Sequence, residues 1–176
     1  MVAGWLAEPH VSRWWLAGSS VEREIEDLRQ STLGRQPVVA LILVYDGEPI
    51  GWCQWYLCGD DPDWAQEIGA GPGDIGMDYA IGSRGHIGRG IGVELVAALV
   101  KAIRDAHPDA AIFADPDQRN AASRRVLEKN GFVLSDVRSV ASEPTNDPMA
   151  IYRLGPAAGV NASGRWSPDR SPTRSR

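Results

Sequence analysis

Cysteine and histidine are scarce in this 176-residue chain: Cys53 and Cys58 are the only cysteines, and there are three histidines. With no further Cys or clustered His, the pair cannot complete a zinc site, and no metal is expected. Long apolar runs are absent too. No stretch approaches the roughly 20 apolar residues of a membrane span. Met1 to Trp15 carries polar and charged residues where a signal peptide needs an apolar core. The expectation is a cytoplasmic protein without a membrane partner, its two thiols reduced and carried on strands. The length suits one domain with a core of its own, and 43% hydrophobic residues exclude disorder for the bulk of it.

One absence is local. Between Arg35 and Arg84 there is no Lys, Arg or His, while the same interval holds Asp46, Glu48, Asp60, Asp61, Asp63, Glu67, Asp74 and Asp78. An uncompensated acidic region favours a cationic ligand through attraction and charge-assisted hydrogen bonds. The net charge of −5 is also uneven. From Gly155 to Arg176 four arginines face one aspartate, making that stretch +3 and leaving −8 on residues 1–154. An acidic body is a poor match for nucleic acid, and none is expected as a partner. The Pro/Ser/Arg-rich stretch 155–176 has almost nothing to bury and reads as a disordered tail to a domain spanning 1–154.

Along that domain, Trp14, Trp15, Val21, Ile25 and Leu28 make an apolar stripe, predicting one or two helices over Val11 to Leu33. Val38 to Tyr45 and Ile50 to Leu57 flank Asp46-Gly47 and read as a β-hairpin. Cys58 to Asp74, rich in Gly, Asp and Pro, reads as a functional loop, and Ile75 to Ile81 as a short strand. A helix from about Val93 to Asp105 buries Val96, Leu99, Val100 and Ile103. Ala110 to Ala114 is a short strand, and Asn120 to Asn130 a helix closed by Gly131. Phe132 to Val140 and Met149 to Leu154 are the last strands. The fold class is α/β (α+β) with a mixed sheet.

Ile87-Gly88-Arg89-Gly90-Ile91-Gly92 lies between a strand and a helix. Its glycines let the backbone turn tightly and bring bare N–H groups to a helix N-terminus, where a phosphate or pyrophosphate is favoured. Packing alone also explains such turns. A dinucleotide-binding reading fails because a hairpin precedes the turn. A P-loop reading fails because no Gly-Lys-Ser/Thr follows.

The segment Asp74 to Phe132 resembles the core of the GNAT acetyltransferases. The loop Gly88 to Gly92 matches their coenzyme A pyrophosphate loop, and Asn120-Ala-Ala-Ser-Arg-Arg-Val-Leu-Glu-Lys-Asn-Gly131-Phe132 matches their later helix. The match is closer to the aminoglycoside 6′-N-acetyltransferase branch, through Pro9-His10-Val11, Trp14-Trp15, Asp46 to Gly51, Gly76-Met77-Asp78, Ala114-Asp115-Pro116, Asn146-Asp147 and Tyr152. Ile87 departs from the general signature as that branch does. The resemblance implies a mixed, mostly antiparallel sheet flanked by helices and acetyl-coenzyme A as co-substrate. It implies a 6′-amine of an aminoglycoside as acceptor, and a monomer or homodimer. It also implies Asp78 as the catalytic carboxylate that contacts the aminoglycoside and is proposed as the base. Backbone of Tyr79, Ala80 and Ile81, with Ile87, Gly88, Arg89, Gly90, Ile91, Gly92 and Asn120, would hold the co-substrate. Asp61, Trp64, Asp78, Asp115 and Asp147 would hold the acceptor. Two departures stand out: the family's tyrosine acid is Leu127 here, and the usual first strand ahead of the opening helix is missing.

The residues themselves support part of this. Asp78 interrupts an apolar strand, where a purely structural Asp would be costly to bury. A free Asp titrates near about 3.9 and an alkyl ammonium near about 10, so Asp78 is expected to orient the amine, with proton removal helped by burial or a water. Trp55 and Trp64 are candidates to stack on sugar rings, and Arg124-Arg125 to touch coenzyme A phosphates or to be solvated helix charge. Two alternatives stay open: a GNAT acylating another small amine, such as a lysine-derived siderophore precursor, and a non-catalytic GNAT that binds coenzyme A.

Overall fold

The computed structural model describes residues 1–16, 18–141 and 147–156. Asn146 and the tail from 157 onward lie outside the described residues. Three helices open the chain: α1 (Val2–Leu6), α2 (Pro9–Trp15) and α3 (Val21–Thr32). The expected span over 11–33 is thus two helices, preceded by a third that the sequence pattern did not suggest. Pro9 sits in the first turn of α2, where a missing N–H is harmless, and Ser20 caps α3 by accepting from the Arg23 amide.

The strands follow as β1 (Val38–Tyr45), β2 (Glu48–Leu57), β3 (Ile75–Ile81), β4 (Ile112–Ala114), β5 (Val133–Arg138) and β6 (Met149–Leu154), in the sheet order β1-β2-β3-β4-β6-β5. Only β3 and β4 run parallel; the other pairs are antiparallel. Among the described residues no strand precedes β1, which forms the sheet edge. The segment expected to be a loop contains a helix, α4 (Pro62–Ile68), capped by the Asp61 carboxylate and closed by Gly69 at φ 76°. Two further helices, α5 (Ile91–Ala106) and α6 (Ala121–Lys129), stand where expected to within two residues. Cys53 is buried in β2, whereas Cys58 begins a 3₁₀ turn after that strand; both are free thiols.

Alternation along β2 sorts its side chains between two cores. Cys53 faces the main core with Met77, Ile91, Val96, Ile103 and Leu127, and Trp55 packs against it. Trp52 faces the other way, into a cluster with Leu6 and Val11. There it lies parallel to Trp5 (6.2 Å between centroids) and edge-on to Trp15 (4.6 Å). Trp52 therefore clamps α1–α3 onto the sheet. No described helix is long and apolar enough to cross a membrane.

The decisive feature is where the sheet stops being continuous. The β3–β4 ladder consists of two residue pairs, Ile75 with Ile112 and Gly76 with Phe113. Strand β4 ends at Ala114, and Pro116 two residues on has no N–H with which to extend a ladder. From Met77 to Ile81, β3 is therefore paired with β2 alone, and its other backbone edge faces an opening in the sheet. Trp52→Ala, which empties the clamp beside this opening, is expected to lower stability by about 3–5 kcal/mol in urea unfolding.

Candidate active site

A cavity of about 290 Å³ occupies that opening. Its walls come from α2 (Trp14, Trp15), β2 (Gln54, Tyr56), β3 (Met77, Asp78, Tyr79), the turn after β4 (Asp115, Pro116, Asp117) and the start of α6 (Asn120, Ser123), with Met149. Of the residues singled out in sequence, Asp78, Tyr79, Asp115 and Asn120 meet here. The remaining residues expected to catalyse or to hold substrate or co-substrate do not line the cavity.

Asp78 accepts a hydrogen bond from the Gln54 side-chain amide at 2.9 Å, its register partner across the β2–β3 ladder. Burial pushes its carboxyl up to about 6, with the Asp115 and Glu24 charges adding to the rise and hydrogen bonds from Gln54 and Tyr56 opposing it. Asp115 is raised as well, chiefly by burial, against the hydrogen bond it accepts from the Trp64 indole at 3.0 Å. Glu24 accepts from the Trp15 indole at 2.8 Å. Each of these three carboxylates is thus held by an amide or an indole, both neutral, so its partner fixes it without cancelling its charge.

The placement of Trp64 differs from a sugar-stacking role. Its ring is only 5% exposed, packed with Cys58, Ile68, Phe113 and Ile151 and tilted against Tyr56 at 5.5 Å. Gly76 makes room for that pair, because a Cβ there would lie 2.4 Å from the Tyr56 ring and 2.8 Å from that of Trp64. Trp55 belongs to the main core, on the opposite face of β2 from Gln54 and Tyr56. The aromatic surface that does reach the cavity is Trp14, Trp15, Tyr56 and Tyr79. The Asp61 carboxylate accepts from the Trp64 amide as the α4 cap, and Asp147 pairs with Arg119 at 2.6 Å.

The glycine turn has separate reasons for its glycines. Gly88 and Gly90 adopt φ of 73° and 85°, in the left-handed region. At Gly92 a Cβ would stand 3.3 Å from Val126, where α5 and α6 touch. Gly90 is the N-cap of α5 and offers no side chain to its first turn, which leaves bare N–H groups suited to an anion. Ile87 and Arg89 are exposed there, and Ile91 is buried. Ala80 and Ile81 continue β3 along its open edge. His10 ties α2 to that strand end, its Nε2 lying 3.0 Å from the Ile81 carbonyl. Asn120 caps α6 by accepting from the Ser123 amide. The Tyr79 hydroxyl meets Ser123 Oγ at 2.8 Å, and burial raises it to about 12, so it stays protonated. Leu127 is wholly buried in the main core. Arg124 donates to the Tyr152 hydroxyl at 3.1 Å and to the Gln118 carbonyl at 3.1 Å, and so is committed within the fold.

A family model described as an acetyltransferase (GNAT) domain matches residues 1–140. The chain belongs to the GNAT acetyltransferases. This GNAT domain is 31% identical over 159 residues to an aminoglycoside N(6′)-acetyltransferase type 1 of Klebsiella pneumoniae, covering 88% of this chain and 76% of that one. It is 28% identical over 155 residues to a lysine N-acyltransferase of Mycobacterium tuberculosis, covering 88% and 71%. Among solved structures, an aminoglycoside acetyltransferase in complex with coenzyme A and kanamycin superposes with a TM-score of 0.74 at 28% identity, covering 88% of this chain and 87% of that one. The mixed, mostly antiparallel sheet expected of the family is the one observed.

Gln54, Tyr56 and Glu24 were not singled out in sequence. The signal available for Gln54 and Tyr56 was strand alternation, since both share with Asp78 the face opposite Cys53.

One outcome follows from the raised carboxyl of Asp78. Its folded value lies above the ordinary 3.8, so its contribution to stability is fully present below about pH 4 and is lost as pH rises through about 6. Asp78→Asn is therefore expected to raise stability by about 2–3 kcal/mol at pH 8 and to give no gain below about pH 4, in denaturant titrations at both pH values. Separately, Trp64→Phe removes the indole donor that holds the Asp115 side chain, and is expected to raise the acceptor KM severalfold while leaving that for the acyl donor unchanged.

Proposed function

We propose that this GNAT is an acetyl-coenzyme A-dependent N-acetyltransferase acting on the 6′-amine of aminoglycosides, working in the cytoplasm. The observation that carries the reading is the pair Asp78 and Asp115: two enclosed carboxylates on one cavity, held by neutral donors and left to bind cations. The likeness to enzymes named for this reaction supports it.

The fit to the co-substrate rests on two features of the chain: the left-handed glycines at an uncapped α5 N-terminus, and the open backbone edge of β3. Residues 87–92 would hold the pyrophosphate, and Asn120 and the β3 edge from Tyr79 to Ile81 the remainder. When bound, acetyl-coenzyme A supplies an acetyl thioester whose thiol, near pKa about 8.5, leaves without strong acid assistance. That suits a chain with Leu127 at the tyrosine position.

Asp78 receives the acceptor as an ammonium, orients it and takes up one proton before the nitrogen lone pair can attack. A free Asp is too weak a base for this by about six units. Enclosure lifts Asp78 to about 6, which closes about a third of that gap while leaving most of the carboxyl ionised at pH 7. Backbone N–H groups on the open edge of β3 would polarise the thioester carbonyl. Asp115, fixed by Trp64, pairs with a second ammonium, so that Trp64 serves the acceptor through Asp115. Asp61 serves it one step further back, as the cap of the helix that carries Trp64. Asp147, paired with Arg119 beside Asp117 of the cavity wall, would take part through that pair.

Thiol release would be followed with kanamycin, tobramycin, a 6′-hydroxyl aminoglycoside and lysine-type amines, with Asp78→Asn alongside. The expected result is turnover that requires a 6′-amine and falls by two or more orders of magnitude in Asp78→Asn. Below pH 6 the wild-type kcat/KM should fall as Asp78 protonates. Turnover of the lysine-type amines alone would assign the enzyme to siderophore-type acylation. Coenzyme A binding without turnover of any amine would make it a non-catalytic binder.

A further inference from the structure

The cavity carboxylates and those at its rim are held in opposite ways. Asp78, Asp115 and Glu24 accept from Gln54, Trp64 and Trp15, all neutral. Asp117, which lines the cavity beside Asp115, is instead gripped by the guanidinium of Arg119, through Nε at 3.0 Å and Nη2 at 2.6 Å. The same Nη2 reaches Asp147 at 2.6 Å, just ahead of Met149, whose backbone bridges to Asp117. One cation of the chain thus occupies Asp117 of the cavity wall and Asp147 beyond it, whereas no Lys, Arg or His is among the described residues that line the cavity.

We propose that Arg119 is a specificity-determining residue, an internal stand-in for an ammonium group of the acceptor. By holding Asp117 and Asp147 it limits how many ammonium groups the site can pair. This rests on the reading of the cavity as the place of a polycationic acceptor. In the pair with Asp147 the guanidinium is 58% exposed and the carboxylate 45%, and ion pairs this exposed are weak, so a ligand cation can compete there; Asp117, 13% exposed, is the more enclosed of the two acids. The local turn does not depend on the guanidinium, because the Arg119 backbone N–H separately donates to Asp117 Oδ1 at 2.7 Å. Arg119→Gln therefore keeps the turn and frees two acids. Its expected effect is a gain in affinity, opposite in sign to the usual outcome of altering a site residue.

Binding of kanamycin and of spermidine would be measured by titration calorimetry at low and high salt. Wild type, Arg119→Gln, Asp147→Asn, the double variant and Lys101→Gln would be compared. The last removes a helical charge paired with Asp105 and controls for net charge. Arg119→Gln is expected to tighten both polycations by about threefold to tenfold at low salt, with the gain vanishing at high salt. The KM for acetyl-coenzyme A and for 6-amino-6-deoxyglucose, which carries one ammonium, should stay within about twofold on the same grounds. Asp147→Asn should bring no gain, and the double variant should lose it. Weaker polycation binding in Arg119→Gln, a raised KM for acetyl-coenzyme A, or an equal gain in Lys101→Gln would overturn the proposal. If wild type fails to acetylate kanamycin while Arg119→Gln still binds spermidine more tightly, the assigned reaction falls and the role of Arg119 stands.

Discussion

Everything that makes a site in this molecule follows from the early parting of β3 and β4. Parallel neighbours ordinarily share a ladder along their length; here they share two residue pairs and then diverge. The cause is local. Strand β4 is three residues long and is followed by Asp115-Pro116, while β3 continues for five more residues beside β2. The gap brings three things together: the unpaired backbone edge of β3, the Asp78 side chain, and the turn carrying Asp115 and Asp117. A longer β4 would close the sheet and leave Asp78 a buried charge with no task.

The chemistry of the gap depends on how its acids are restrained. A carboxylate left loose in a cavity is poorly placed, and one paired with Lys or Arg is well placed but electrically spent. Amide and indole partners avoid both outcomes, since they orient the oxygens and leave the charge. Burial is the main cause that lifts Asp78 toward neutrality, and the charges of Asp115 and Glu24 add to it. The same enclosure and clustering of acids that makes the site attractive to a polycation therefore makes one of its acids a better base.

Much of this was legible in the residues, and the reasons for the rest are physical. The hairpin, the glycine turn and helices α5 and α6 have strong local signals, and the structure places them within a few residues of expectation. Asp78 stood out because a lone acid in an apolar strand needs a reason. Helix α4 was hidden in a Gly/Asp/Pro-rich stretch, although Asp61-Pro62 and Gly69 are a start and a stop signal in the expected order. The partners of the acids were harder to see. Trp64 and Asp115 are 51 residues apart, and Gln54 and Asp78 are 24 apart. Only the register of the sheet and the docking of helices bring them together. Trp64 looked like a surface platform because tryptophan beside acids suggests sugar binding; its burial beneath Tyr56 gives it a supporting place instead.

The use of indoles as carboxylate holders has an optical consequence. Of seven tryptophans in the chain, two that line or support the cavity carry an acid on the indole nitrogen: Trp64 holds Asp115 of its wall, and Trp15, itself in the wall, holds Glu24. Indole emission responds to charge lying along the ring, and these two rings each have an anion fixed at one end. A cation arriving beside Glu24 or Asp115 offsets that field, and protonation of the acid removes it. The protein thus has intrinsic fluorescent probes of the charge state of its acceptor pocket, read without a label and without turnover.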